Sequence, residues 1–200
     1  MRGFALLLFS LILFTLILFT GCSKKNESSE QNMTTHGSNS AGREWSARTF
    51  LLSGTDHREC NLTMNDNNVN CHKRDQTLLL INLFASWCPP CRAEIPALNT
   101  LQRKYAKDLF IIGILVNDEQ NNTQINAVMN KYGGDYFVSG TKEGQAFVNH
   151  LIKSLKLPEN YPIPLSILYR NGKLYRYYEG AMPIEIMENE IDKALKKHKD

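Results

Sequence analysis

The residues of this chain best placed to do chemistry are two cysteines separated by two prolines, Cys88-Pro89-Pro90-Cys91, with Trp87 directly in front of them. Thiols three positions apart meet across a single helical turn, so such a pair can open and close as a disulfide. The same spacing also occurs in haem-attachment and zinc sites. Haem attachment requires a His immediately after the second cysteine, and residue 92 is Arg. A zinc site built on this motif requires a second CxxC, and the chain has none. Beside a static structural disulfide, thiol–disulfide exchange is the remaining chemistry. It needs a thiolate, and therefore a locally positive environment for the attacking cysteine.

The elements around the motif can supply that environment. Leu79, Leu80, Ile81, Leu83 and Phe84 form an apolar run with no helical stripe, which predicts a strand buried on both faces. After the cysteines, Ile95, Leu98, Leu101 and Tyr105 recur near helical spacing and predict a helix over Arg92 to Tyr105. The cysteines thus fall where a strand ends and a helix begins. Unpaired N–H groups and the helix dipole favour a thiolate there.

The rest of the chain reads as alternating elements. A first strand is expected within Glu44 to Ser53 and a tight reversal at Asn65-Asp66-Asn67-Asn68. A second buried strand spans Leu109 to Val116. Helices are expected over Asn122 to Tyr132, Glu143 to Leu157 and Pro183 to Lys197, with a short strand at Tyr136 to Val138. Leu165 to Tyr169 and Lys173 to Tyr178 flank Asn171-Gly172 and predict a β-hairpin. This order of elements implies an α/β fold.

Five cysteines are present. Cys60 and Cys71 flank the reversal at 65–68, and a hairpin would bring them close enough for a structural disulfide in an oxidising compartment. His57 and His72 lie beside them, so zinc ligation and free or redox-active thiols are the alternatives. No metal is expected.

Residues 1–21 begin with Arg2 and continue as an apolar run from Phe4 to Phe19. The run ends Leu18-Phe19-Thr20-Gly21-Cys22, which resembles a bacterial lipobox with Cys22 as the lipidated residue after cleavage. An uncleaved signal anchor is the alternative, and either arrangement ties the remainder to a membrane outside the cytoplasm. Residues 22–43 are polar and predict a flexible tether, leaving 44–200 as the folded domain. The net charge of +3 is small and its basic residues are scattered, apart from lysines near the C-terminus. That gives no case for a nucleic-acid-binding surface.

With these motifs in place, the chain resembles the thioredoxin superfamily, and within it the exported, membrane-tethered thiol-disulfide oxidoreductases of the TlpA, ResA and CcmG type. The resemblance covers about residues 45 to 197. It rests on Trp87-Cys88-Pro89-Pro90-Cys91 after an apolar strand, on Glu94 followed by Pro96, on Pro164 before a strand, and on the hairpin at Asn171-Gly172-Lys173. It implies a thioredoxin-like fold, a central mixed β-sheet flanked by helices, here with an N-terminal β-hairpin extension. It also implies catalytic roles for Cys88, Cys91 and Glu94, with Cys88 attacking and Cys91 resolving. Trp87, Ile163 and Pro164 would contact substrate, Pro164 as the family's cis-proline, a role Pro162 could take instead.

The implied function is reduction of protein disulfides outside the cytoplasm, with apocytochrome c one target and no cofactor beyond the Cys88–Cys91 dithiol. The implied partners are a transmembrane thiol donor of the DsbD or CcdA kind and, through the N-terminal lipid, the membrane. A dithiol oxidant of exported proteins and a non-catalytic binding lipoprotein are the competing readings. The chain departs from the family pattern at Leu165-Ser166, where Thr-Thr is common, and in the stretch 56–76 that carries Cys60 and Cys71.

Overall fold

The computed structural model describes residues 47–196; Cys22, the residues before it, the tether, Trp45 and the last four residues lie outside the described residues. In chain order the elements are β1 (Arg48–Ser53), β2 (Glu59–Asn65), β3 (Asn68–Cys71), β4 (Leu78–Phe84), α1 (Pro89–Lys104), β5 (Leu109–Leu115), α2 (Asn122–Lys131), β6 (Phe137–Ser139), α3 (Thr141–Ser154), β7 (Leu165–Arg170), β8 (Lys173–Glu179) and α4 (Ile184–Lys196). Five strands form a mixed sheet in the order β6-β5-β4-β7-β8, and β1-β2-β3 form a separate antiparallel sheet.

β4 is the centre of the larger sheet. It pairs in parallel with β5 and antiparallel with β7. Every residue of β4 and of β5 is buried, which accounts for their uninterrupted apolar sequences. On one face Leu78, Leu80 and Phe84 pack with Ile95, Leu98 and Leu101 of α1 and with Met187, Ile191 and Ala194 of α4. On the other face Leu79, Ile81 and Leu83 pack with Phe147 and Leu151 of α3 and with Leu52, Leu62, Met64 and Val69 of the small sheet. The small sheet is therefore a lid over one face of the central sheet. The expected N-terminal hairpin is there as β2 and β3, with β1 added as a third strand paired to β2 along its whole length.

Beside the site, one boundary differs from the expected one. α1 starts at Pro89, three residues before Arg92, because Pro89 and Pro90 fill the first helical positions, where no N–H is needed and a fixed φ suits the helix. The helix also continues through Pro96, carried by burial of Ile95, Leu98 and Leu101 on its inner side. The hairpin between β7 and β8 turns at Asn171 and Gly172, both with positive φ, as a two-residue turn demands.

Gly144 lies where α3 meets β5, and a Cβ there would drive into Cγ2 of Ile114, which is fully buried. Alanine is the better helix former by about 1 kcal/mol, but overpacking a closed core costs about 1–3 kcal/mol. We expect Gly144→Ala to lower the unfolding free energy in denaturant titration; a stabilised variant would show that α3 floats free of the sheet.

Candidate active site

The register of β4 and β5 sets the site. Phe84 sits opposite Leu115, so the two parallel strands end side by side and the loops that follow them run together. The loop after β5 clamps the loop after β4. The backbone N–H of Ser86 donates to Oδ2 of Asp118 at 2.6 Å, and the indole N–H of Trp87 donates to the Asn117 carbonyl at 2.9 Å. Asn117 holds a left-handed φ of 52°, a conformation Asn tolerates better than most residues. Asp118 is buried and its second oxygen accepts from the Gln120 N–H. Trp87 remains 57% exposed despite its anchored nitrogen, so its ring presents an apolar surface beside the cysteines.

Cys88 is the N-cap of α1, and its sulfur accepts from the Cys91 backbone N–H at 3.3 Å. The two cysteines form a disulfide, with Cα atoms 5.3 Å apart. The first-turn donors and the helix dipole thus point at the Cys88 sulfur, an arrangement that stabilises a thiolate once the bond is reduced. Facing it is the loop before β7. Leu83 pairs with Leu165, which brings Pro164 and the residue before it alongside the end of β4. The Ile163–Pro164 peptide is cis, and the Ile163 carbonyl oxygen lies 3.9 Å from the Cys88 sulfur. Ile163 lies ahead of the ladder, which begins at Leu165.

Glu94 sits one turn inward from Cys91 and is almost wholly buried. Asn82 Nδ2 donates to Glu94 Oε2 at 3.1 Å and to Ser166 Oγ at 3.0 Å, and the Met182 N–H donates to Glu94 Oε1 at 3.2 Å. Burial pushes the Glu94 carboxyl above the usual range, and the Met182 and Asn82 hydrogen bonds offset this only in part. Tyr136 is buried nearby with its hydroxyl unpaired; burial first, and then the charge of Glu94, hold its proton on.

Trp87, Cys88, Cys91, Ile163 and Pro164 therefore converge on one place, with Glu94 behind them. Sequence reasoning missed the polar groups that hold the site: Asn82, Ser166, Asp118 and Asn117. Asn82 carried a signal, as the only polar residue in Leu78–Phe84. Asp118 carried none, because its partner is 32 positions away in the chain.

The structural disulfide expected between Cys60 and Cys71 is not formed in this structure; both are free thiols. The register explains this. Leu62, not Cys60, lies opposite Cys71, so the cysteines occupy diagonal positions on one face of the β2–β3 pair. His72, next along from Cys71, bonds through Nε2 to the Thr63 hydroxyl. Among the described residues no three metal-ligating side chains come together.

A Redoxin family model matches residues 44–195, which is most of the chain. The chain belongs to the Redoxin family. Among curated relatives of this Redoxin chain, the thioredoxin-like protein YneN of Bacillus subtilis is 29% identical over 115 residues, covering 57% of this chain and 63% of that protein. The thiol:disulfide interchange protein DsbE of Yersinia pestis is 35% identical over 125 residues, covering 62% of this chain and 61% of that protein. The chain thus spans about three fifths of the length of these relatives. The crystal structure of StoA from Bacillus subtilis superposes with a TM-score of 0.52 at 18% identity, covering 71% of this chain and 95% of that one. The fold is thioredoxin-like.

Glu94 generates a pH-dependent prediction. Its folded-state pKa is raised above the ordinary 4.5. Its stabilising contribution is therefore complete below 4.5 and lost as pH rises through the raised value. Relative to Glu94→Gln, the unfolding free energy of the oxidised native chain should fall over that rise. Parallel pH profiles for the two proteins would refute the assignment.

Proposed function

We propose that this protein is an extracytoplasmic thiol-disulfide oxidoreductase, anchored to a membrane through a lipid on Cys22, that reduces disulfides in exported proteins. The observation that carries the reading is the Cys88–Cys91 disulfide at the N-terminus of α1, with the Ile163 carbonyl 3.9 Å from the Cys88 sulfur. The likeness to the thioredoxin-like protein YneN and the thiol:disulfide interchange protein DsbE supports the thiol–disulfide exchange in this reading. In this reading residues 1–21 are a signal peptide, 22–43 a tether and 44–200 the catalytic domain.

The reduced enzyme attacks through the Cys88 thiolate. A bond forms from that sulfur to one sulfur of the substrate disulfide, and the other substrate sulfur leaves as a thiolate. Cys91 then loses its proton and attacks Cys88, which restores the Cys88–Cys91 bond and frees the second substrate thiol. The substrate gains two electrons and the enzyme dithiol loses them. In its ionised form Glu94, one turn along α1 and held by Asn82 and the Met182 N–H, receives the Cys91 proton. Burial favours its protonated form, which makes it a proton store at the inner thiol. Ile163 pairs through its backbone with an extended substrate segment and Trp87 supplies apolar contact, a form of β-augmentation.

No cofactor beyond the dithiol is needed, but each cycle consumes two electrons. A transmembrane thiol donor of the DsbD or CcdA kind supplies them, and apocytochrome c, whose haem-binding thiols must be reduced, is one substrate.

Insulin reduction should be abolished in Cys88→Ser. The Cys88–Cys91 potential should lie near thioredoxin's, about −270 mV; a value near about −120 mV would make the protein an oxidant instead. Cys91→Ser should trap mixed disulfides containing c-type apocytochromes, and their absence from the trapped set would remove that substrate. For the anchor, Cys22→Ser should move the protein out of its mature, lipid-modified form in metabolic labelling with palmitate. Unchanged labelling and migration would point to an uncleaved signal anchor.

A further inference from the structure

We propose that Cys60 and Cys71 form a second redox dithiol, separate from Cys88 and Cys91, in which Cys71 attacks a low-molecular-weight disulfide and Cys60 resolves the product.

Four observations carry the proposal. First, the two thiols share one face of the β2–β3 pair at diagonal positions, near enough for each to act on the other electrostatically. They are free in this structure, and joining them requires the end of β3 to shift toward β2. Second, their environments differ in the way an attacking and a resolving thiol require. Cys60 is buried in the core cluster beneath the small sheet, whereas Cys71, at the end of β3, is partly exposed. Third, Cys71 opens onto a cleft of about 80 Å³ that Arg74, Gln76 and Phe110 also line. The Arg74 guanidinium stacks 4.2 Å from the Phe110 ring centroid, which fixes the cation next to Cys71. Fourth, the Oε1 of Gln76, in the same cleft, is buried without a hydrogen-bond partner, so an acceptor is ready for an N–H or O–H of an entering compound.

The charge balance agrees with this geometry. The neighbouring Cys60 thiol and the positive charge of Arg74 hold the Cys71 thiol below its usual range against the opposing effect of burial. Cys60 is held above its usual range by the neighbouring Cys71 and by burial, and so keeps its proton until it resolves. A cleft this small takes in one end of a compact disulfide such as 2-hydroxyethyl disulfide, and excludes a folded protein chain.

The step balances as follows. The Cys71 thiolate attacks one sulfur of the small disulfide, forms a mixed disulfide and releases one thiolate. That thiolate takes up the proton that Cys60 gives off. The Cys60 sulfur then attacks Cys71, and the second small thiolate leaves. One disulfide is formed in the protein and one is reduced in the compound.

The test uses the full chain, reduced and then exposed to 2-hydroxyethyl disulfide, with every cysteine read separately by alkylation and non-reducing peptide mapping. We expect peptides containing Cys60 and Cys71 to be recovered as one bridged species, and the bridge to reopen under excess dithiothreitol. Cys60→Ser should instead accumulate a hydroxyethylthio adduct on Cys71. Arg74→Gln should slow bridging roughly three- to tenfold while oxidation of Cys88 and Cys91 keeps its rate. Two results overturn the proposal. In one, Cys60 and Cys71 remain alkylatable when Cys88 and Cys91 are fully oxidised. In the other, a stable adduct persists on Cys71 of the native chain without a bridge. Because the native chain gives the primary reading, the outcome does not depend on whether Cys60→Ser folds. It is also independent of the function proposed for Cys88 and Cys91.

Discussion

The parallel pairing of β4 with β5 is the constraint from which the site follows. Both strands are buried along their full length, so each must be covered on two faces. Parallel neighbours also cannot be joined by a tight turn, and the chain must cross over through a helix. That helix is α1, and its start necessarily lies at the end of β4, where Cys88 caps it. The same pairing aligns the loop after β5 with the loop after β4. Asp118 and Asn117 can then tie down Ser86 and Trp87 by hydrogen bonds. A cysteine at this junction gains its electrostatic environment from the fold itself, through the first-turn N–H groups of α1.

Two opposing electrostatic devices sit within one turn of each other on α1. At the helix start, the first-turn N–H groups and the dipole favour negative charge on Cys88. One turn inward, burial disfavours negative charge on Glu94, whose two hydrogen-bond donors recover only part of the lost hydration. The outer thiol is thus arranged to be ionised and the inner carboxyl to hold a proton. Asn82 is the hinge of the second device. It lies on the central strand, on the side that faces α1, and divides its amide between Glu94 and Ser166. A polar side chain in the middle of such a strand is expensive unless it is fully bonded, and here both of its partners come from elements flanking the site. Ser166 also gives the departure from Thr-Thr after Pro164 a concrete role.

The small sheet answers the other half of the constraint. The face of β4 that carries Leu79, Ile81 and Leu83 would meet solvent without β1, β2 and β3, because α3 alone does not cover it. The insertion that interrupts the family pattern is therefore part of the core. Its alternating strand β2 turns Cys60, Leu62 and Met64 inward, so Cys60 is held in the core while Cys71 reaches the edge. A reversal at Asp66 and Asn67 sets the register, and that register keeps the two sulfurs diagonal rather than opposed.

Much of this was legible in the chain alone, for local reasons. The uninterrupted apolar runs of β4 and β5 could only be buried strands. Asn171-Gly172 could only be a tight turn, and Cys88-Pro89-Pro90-Cys91 between a strand and a helical stripe located the chemistry. The exact start of α1 was missed because proline, a helix breaker inside a helix, is a helix starter at its first positions. What the sequence could not express were relations across long stretches of chain. They include Asp118 reaching Ser86, Asn82 bridging Glu94 and Ser166, the Ile163 carbonyl meeting Cys88, and the diagonal placement of Cys60 and Cys71. Each depends on strand order and register, which are set by how faces pack and not by any residue's neighbours in sequence. The amino-acid pattern determined that a dithiol would stand at a helix N-terminus; only the tertiary structure decided which carboxyl, which carbonyl and which loop would surround it.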